Sequence, residues 1–348
     1  MEDVVFSTEP EVLDPKVLKV IKRVSNEFEL ALEKVAANHA QPAKYPLPAD
    51  PQSTERTLAA IFNTLSAEKK QHAAALATSR INVPLAVRTA RFAELAKVDL
   101  TKSDSVKKQS IALPMPVANK IPQNFWSSLP ALHLTPAVLP TAVVQHHLEL
   151  RLRKVYCEDE TGSTSIGSDE IAMGGFVVDA LGVVHSMPTF DVRGGFDTGE
   201  DKKYDPPKVL YNFSLDSRAP FPQRMLATLV LVEKDGNGFS AFMDKLVDAV
   251  RTEVTDALAG SIPLPLPAQI RQIIAAAISK VFGFVLGLFK SIWANEDDIF
   301  PERNLRLSVN KLDPRWNGGD ESPHIRVDFI GHNGHYFAVL DTKAKRTG

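Results

Sequence analysis

The chain has 348 residues, 44% of them hydrophobic and 24% charged, and a formal net charge of −2. That length is enough for two domains with cores of their own, and the composition is that of an ordinary soluble protein. Lys and Arg total 40 against 42 Asp and Glu with no long basic stripe, which excludes nucleic acid as an expected partner, and a single cysteine, Cys157, excludes an internal disulfide framework.

The amino-terminal stretch MEDVVFSTEPEVLDP is acidic and lacks the charged-then-apolar pattern of a secretory signal. The cytoplasm is therefore the default location, with export by a signal-less route as the alternative. Residues 1–98 read as a helical domain. Asp14 and Pro15 supply an N-cap and first-turn pair, after which Val17, Ile21, Val24, Phe28, Ala31 and Val35 repeat at alternating spacings of four and three. This short heptad seam suits packing within one chain better than a dimer coiled coil, because three heptads are few. The Pro-rich loop from Gln41 to Pro51 ends it. A second helix is predicted from Ser53 through Leu58, Ile61, Phe62 and Leu65 to Leu76, and a third from Pro84 to Lys97, giving a three-helix antiparallel unit.

Residues 99–144 carry Pro114, Pro116, Pro122, Pro130, Pro136 and Pro140, which prevent a long helix or a central strand. Because Phe125, Trp126 and Leu129 make the segment apolar, it reads as an extended strap laid on a domain surface.

The domain 145–348 is predicted to be mostly strand. Leu148, Leu150 and Leu152 alternate with Glu149, Arg151 and Arg153, as in a half-buried antiparallel strand. Further strands are predicted at 170–179, 208–215, 225–233, 305–309, 324–330 and 335–341, the last two joined by a tight turn with Asn333-Gly334 at its centre. The segment 192–207, rich in Gly, Asp and Pro, reads as a long solvated loop. Such spacing indicates a β-sandwich.

Into it is inserted a helical hairpin at 239–294. Phe242, Met243, Leu246, Val247, Val250 and Val254 line one face of its first helix; Gly260 stops that helix, and Pro263, Pro265 and Pro267 make a stiff turn. The second helix, Gln269 to Trp293, has an unusually wide apolar face. Arg271, Lys280 and Lys290 interrupt it, so its uncharged pieces fall well short of the roughly 18 residues a spanning helix needs. Val281, Phe284, Val285 and Leu288 are the side chains expected to meet a core, a protein partner or a membrane. Gly283 and Gly287 form a small-xxx-small pair that lets another backbone approach. The fold class is thus α+β: an N-terminal helical unit followed by an antiparallel β-sandwich carrying an inserted amphipathic helical hairpin.

The sandwich loops hold the chemically suggestive residues. Asp159, Glu160, Asp169 and Glu170 flank one loop, and Glu233 and Asp235 begin another; carboxylates on two flexible loops are the hard oxygen donors that calcium takes. In spacing and context, residues 145–236 and 304–341 resemble a C2-type β-sandwich, a family whose first and third loops hold calcium and touch lipid. The sequence departs from that family in the helical insertion and in a third loop reduced to Glu233 and Asp235. His332 and His335 read as surface histidines of a hairpin tip, and no nucleophile elbow or phosphate-binding fingerprint occurs. The expected function is a non-enzymatic binding module for a protein partner or a membrane surface, calcium-assisted. The alternatives are a membrane-active, toxin-like protein that inserts the hairpin, and a hydrolase using loop carboxylates. Oligomeric state is not written in the sequence.

Overall fold

A computed structural model describes residues 3–8, 13, 15–113, 145–161, 169–215, 221–234, 239–259, 268–293 and 298–347; Gly260 and the prolines Pro263, Pro265 and Pro267, expected to stop the first hairpin helix and make the turn, lie outside them. The helices are α1 (Pro15–Ala40), α2 (Thr54–Phe62), α3 (Ala67–Ile81), α4 (Leu85–Phe92), α5 (Val106–Ile111), α6 (Phe239–Ala259) and α7 (Ala268–Trp293). The strands are β1 (Val4–Ser7), β2 (Gln145–Asp159), β3 (Asp169–Val178), β4 (Val184–Phe196), β5 (Asp201–Leu215), β6 (Gln223–Glu233), β7 (Asp298–Ile299), β8 (Arg303–Val309), β9 (Ile325–Gly331) and β10 (Gly334–Thr347).

The strands pair antiparallel into a six-stranded sheet of order β1-β8-β6-β3-β4, with β7 on β6, and a four-stranded sheet of order β5-β2-β10-β9. Period-two alternation sorts their side chains. Leu148, Leu150 and Leu152 of β2 meet Met173, Leu229 and Leu307 in the core between the sheets, while Phe176, Leu226 and Val230 point the other way into a second core shared with the helices. The sandwich and its inserted hairpin α6–α7 are therefore as expected. Gly175 adopts φ +142°, and a Cβ there would run into the Thr228 carbonyl, so glycine lets β3 approach β6.

Every residue of the α1 seam is buried, and α1 packs on α2, α3 and α7 of its own chain. The helix is central enough to bury charge as well. Lys34 donates from Nζ to the carbonyls of Lys102 and Asp104 at 2.7 and 2.8 Å, and buried Glu55 accepts the Val106 amide at the start of α5 at 2.6 Å.

Several expectations change. The helix predicted from Ser53 to Leu76 is broken after Phe62, because the Ser66 hydroxyl accepts the Lys69 amide and starts α3 afresh. The helix predicted over 84–97 ends at Phe92, where Ala93 takes φ +50° and a 3-10 turn follows. The N-terminal region is not all helical, since β1 pairs with β8 at the sheet edge. The strap begins with α5 instead of an extended chain, and residues 114–144 and Asp14 lie outside those described. The segment 192–207 is mostly strand: β4 and β5 run into it from both sides and leave only a short turn at 197–200. Finally, the β9–β10 turn centres on His332 and Asn333, both with positive φ, while Gly331 and Gly334 form the closing pair.

Candidate ligand-binding cleft

The described carboxylates among those expected to hold calcium share one end of the sandwich without converging. Asp159 is exposed at the end of β2, Glu170 is exposed on β3, and Glu233 ends β6 opposite Ile171 and Asp298. Glu160 is fixed through its amide, which donates to Thr198 Oγ1 at 3.2 Å. Asp169 is buried and already engaged: its Oδ2 accepts the Thr161 amide at 2.7 Å, the Thr161 hydroxyl at 2.9 Å and the Tyr336 hydroxyl at 2.5 Å. It locks a loop to the core. Asp235 lies outside the described residues. Among the described residues no group of three His, Cys, Asp or Glu side chains is placed to hold a metal. His335 sits between Glu158 and Asp328, at 2.8 and 2.9 Å, and His332 contacts the Ile299 carbonyl at 2.9 Å. Cys157 is buried, and burial pushes its thiol up to about 11, which leaves it a poor nucleophile.

The side chains expected to contact a membrane or partner are divided by the fold. Val281, Val285 and Leu288 are buried in the helical core, and Phe284 alone of the set is 42% exposed. Gly283 does not receive a backbone. Its missing Cβ makes room for the Glu302 carboxylate, and Gly287 faces open space. Burial raises the Glu302 carboxyl above its usual range, with Arg303 and Lys280 opposing that rise. No described helix is long and apolar enough to cross a membrane.

The site that the fold does build lies where the six-stranded sheet extends past the helix pair. Helices α6 and α7 cover β3, β4 and β6, and the Phe176 and Phe282 rings meet edge to face at 5.3 Å. The margin formed by β8 and β1 is left beside the flank of α7, and a cleft of about 360 Å³ opens there. Its volume lies in the lower range of small-molecule sites.

Strand register orders its floor. One helix-facing row across β3, β6, β8 and β1 reads Val178, Leu226, Arg306, Ser7. The row beneath α7 ends in Thr228 and Asn304, and the row on the other side carries Arg224, Ser308 and Val5. Ala275, Ala276, Ser279 and Lys280 of α7 form the facing wall. Asn304 ties wall to floor: its Oδ1 accepts from Ser279 Oγ and Thr228 Oγ1, each at 2.7 Å. Arg306 Nη2 donates to Ser7 Oγ at 3.2 Å, which pins β1 to the cleft.

Among the described residues of the lining, three cations, Arg224, Arg306 and Lys280, arrive from three different elements, beside one carboxylate, Asp179. Asp179 is occupied by its own turn: Oδ1 accepts the Leu181 and Val183 amides at 2.8 and 2.9 Å, and Oδ2 meets His185 Nε2 at 3.0 Å. The described lining of the cleft therefore holds more cations than carboxylates, on a chain that is net negative. Sequence reading missed it. The alternation of Asn304, Arg306 and Ser308 with Leu305, Leu307 and Val309 marks one face of β8 as polar, but only the register joins that face to Lys280 and Ser7.

No protein-family model matches the chain, and comparison with curated protein sequences finds no significant match, so the chemistry of the cleft rests on its own residues.

Proposed function

We propose that this chain is a non-enzymatic binding module whose recognition site is the cleft between α7 and the β6–β8–β1 margin, and that it takes an anionic ligand. The observation that carries this reading is the convergence of Arg224, Arg306 and Lys280 on one cleft, whose one carboxylate among the described residues, Asp179, is already hydrogen-bonded. Guanidinium groups recognise carboxylate and phosphate through paired N–H donors, and charge-assisted bonds of this kind are about twice as strong as neutral ones. The Ser279–Asn304–Thr228 network offers hydroxyl groups beside those cations without any nucleophile–base pair. Among the described residues, no observation favours calcium assistance, a C2-type lipid contact, insertion of the hairpin or hydrolysis by loop carboxylates.

The test is an NMR titration of the full chain with inorganic phosphate. Saturable shifts are expected at the Ser279 and Asn304 amides, and Lys280→Glu, a change at an exposed position, should weaken binding by tenfold or more. Wild-type spectra that do not respond, or respond without saturating, would overturn the reading.

A further inference from the structure

We infer that a second site, a slot at the opposite margin of the six-stranded sheet, takes a single-ring aromatic carboxylate. The slot shares no described lining residue with the cleft, and its ligand is independent of the anion bound there. Strand β4 is the edge of one sheet and β5 the edge of the other, and the turn at 197–200 joins them. Neither strand is regular where they face each other. On β4 the pairing with β3 slips between Phe190, opposite Met173, and Met187, opposite Gly175. On β5 the pairing with β2 passes from Lys203, opposite Lys154, to Lys208, opposite Leu152, so residues 204–207 stand against Arg153 alone. Such bulges bend an edge strand, and here they leave a slot of about 160 Å³ between the two edges.

The inner wall is apolar: Met173, Met187, Leu210 and Leu229 are at most 9% exposed and belong to the core between the sheets. Phe190 and Lys208 are half-buried, and Pro188 and Val209 are exposed, so the slot reaches the surface between the two edges. Size and lining select the ring. An apolar cavity of about 150 Å³ lined by Leu, Ile and Phe takes benzene, so one ring fills this slot and two fused rings exceed it. Methionine sulfur and the Phe190 ring favour aromatic contact, whereas the side chains of the inner wall give water no strong hydrogen-bond partner. The charge comes from Lys208, the one titratable side chain among the described lining residues. Its Nζ lies 4.3 Å from the centre of the Phe190 ring and has no carboxylate partner among the described residues. A ring seated against Met173, Met187 and Leu229 with its carboxylate directed outward meets that ammonium at the mouth, where solvent still reaches the charge.

The experiment is NMR of the full chain with isotope-labelled methionine methyl groups. Met173 and Met187 line the slot and Met225 lines the cleft, so one spectrum reads both sites. Titration with benzoate should give saturable ring-current shifts at Met173 and Met187, and acetate should move neither. Benzyl alcohol, which keeps the ring and loses the charge, should bind roughly threefold to fivefold more weakly than benzoate. Naphthoate should bind roughly tenfold more weakly or worse, because the second ring overpacks the slot. Lys208→Met keeps the apolar stem and removes the charge, and it should bring benzoate down to the affinity of benzyl alcohol. Benzoate that leaves Met173 and Met187 still, or moves Met225 alone, would overturn the slot. Acetate shifting both methyl groups as far as benzoate does would overturn the ring. Benzyl alcohol binding as tightly as benzoate, or Lys208→Met binding benzoate as the wild type does, would overturn the carboxylate, and naphthoate matching benzoate would overturn the single-ring fit. None of these results bears on phosphate in the cleft, so the two sites are judged separately.

Discussion

Glu33 gives the sharpest test of how α1 is packed. Its side chain is 2% exposed on the central helix, Oε1 accepts no hydrogen bond, and the nearest guanidinium nitrogen, Arg91 Nη1, is 3.7 Å away. Burial, aided by the neighbouring Glu29, pushes the carboxyl from 4.5 up to about 7, against the pull of Arg91. The folded protein therefore holds this proton more tightly than the unfolded chain does. Stability from this group is fully present below pH 4.5 and is lost as pH rises to about 7; across that window the two states differ by up to one bound proton, worth about 1.4 kcal/mol per pH unit. The loss is roughly 3 kcal/mol. Glu27 and Glu55 are raised in the same direction by burial, so their contributions have the same sign. Glu321 shifts the other way, held down to about 2 by Arg151, and it adds stability above pH 4.5 that is lost only as pH falls below that. Urea unfolding followed by circular dichroism from pH 4.5 to 8 should show Glu33→Gln matching the wild type at the acid end and exceeding it by roughly 3 kcal/mol at pH 8. Histidine titration cancels in that difference. Parallel stability curves for the two proteins would refute the reasoning.

Three further outcomes follow from packing. Ile21→Ala should cost about 2 to 5 kcal/mol with no change of mass in light scattering, because its seam faces α2, α3 and α7 of the same chain; a shift of mass would show that the seam lies between chains. Asp341→Ala should cost about 3 to 5 kcal/mol in chemical denaturation, since Asp341 is fully buried and takes Arg151 at 2.9 and 2.6 Å and Arg153 at 2.5 Å; a loss under 1 kcal/mol would mean that the arginines find water instead. Gly283→Leu should destabilise by about 1 to 3 kcal/mol by displacing Glu302, whereas Gly287→Ala, facing open space in the same helix, should stabilise by about 1 kcal/mol; equal effects would show that Glu302 does not occupy the Gly283 notch.

Elements governed by a repeating local pattern were legible. The seam Val17–Val35, the alternation of Leu148, Leu150 and Leu152, and the two helices of the hairpin each carry their own period, and each appears as expected. Strand β4 was missed over its whole length, 184–196, and β5 over 201–207; within 192–207 Gly194, Gly195, Pro206 and Pro207 ordinarily punctuate loops. Both strands are sheet edges, β4 of one sheet and β5 of the other, and an edge tolerates a residue that donates no ladder hydrogen bond. The acidic loops were legible as composition, but not the fact that Asp169 is taken by Thr161 and Tyr336, a partner 167 residues away. The cleft is the extreme case. Ser7 and Arg306 are 299 residues apart, and nothing local to either one announces the other.

The hairpin is where burial decides between function classes. A membrane-inserting helix must leave its packed site, so its packed and released states can differ by only a few kcal/mol. In α7, Val281, Phe282, Val285, Leu286, Phe289 and Ile292 are all at most 4% exposed, in one core with α1, α3 and the outer face of the six-stranded sheet. At about 1.5 to 3 kcal/mol for each such side chain, exposing them costs roughly 10 to 20 kcal/mol, which equals or exceeds the whole stability of a typical domain. Release of α7 is therefore unfolding, not a switch. The groups that could ease it on acidification, Glu27, Glu33 and Glu55, act in the opposite sense, because protonating them stabilises the packed form. The chain should consequently release no dye from anionic vesicles at neutral pH, and none on acidification to pH 5. Leakage at low micromolar protein, abolished by a disulfide engineered between α1 and α7 and restored on reduction, would show that the hairpin escapes this core and would move membrane insertion ahead of ligand binding.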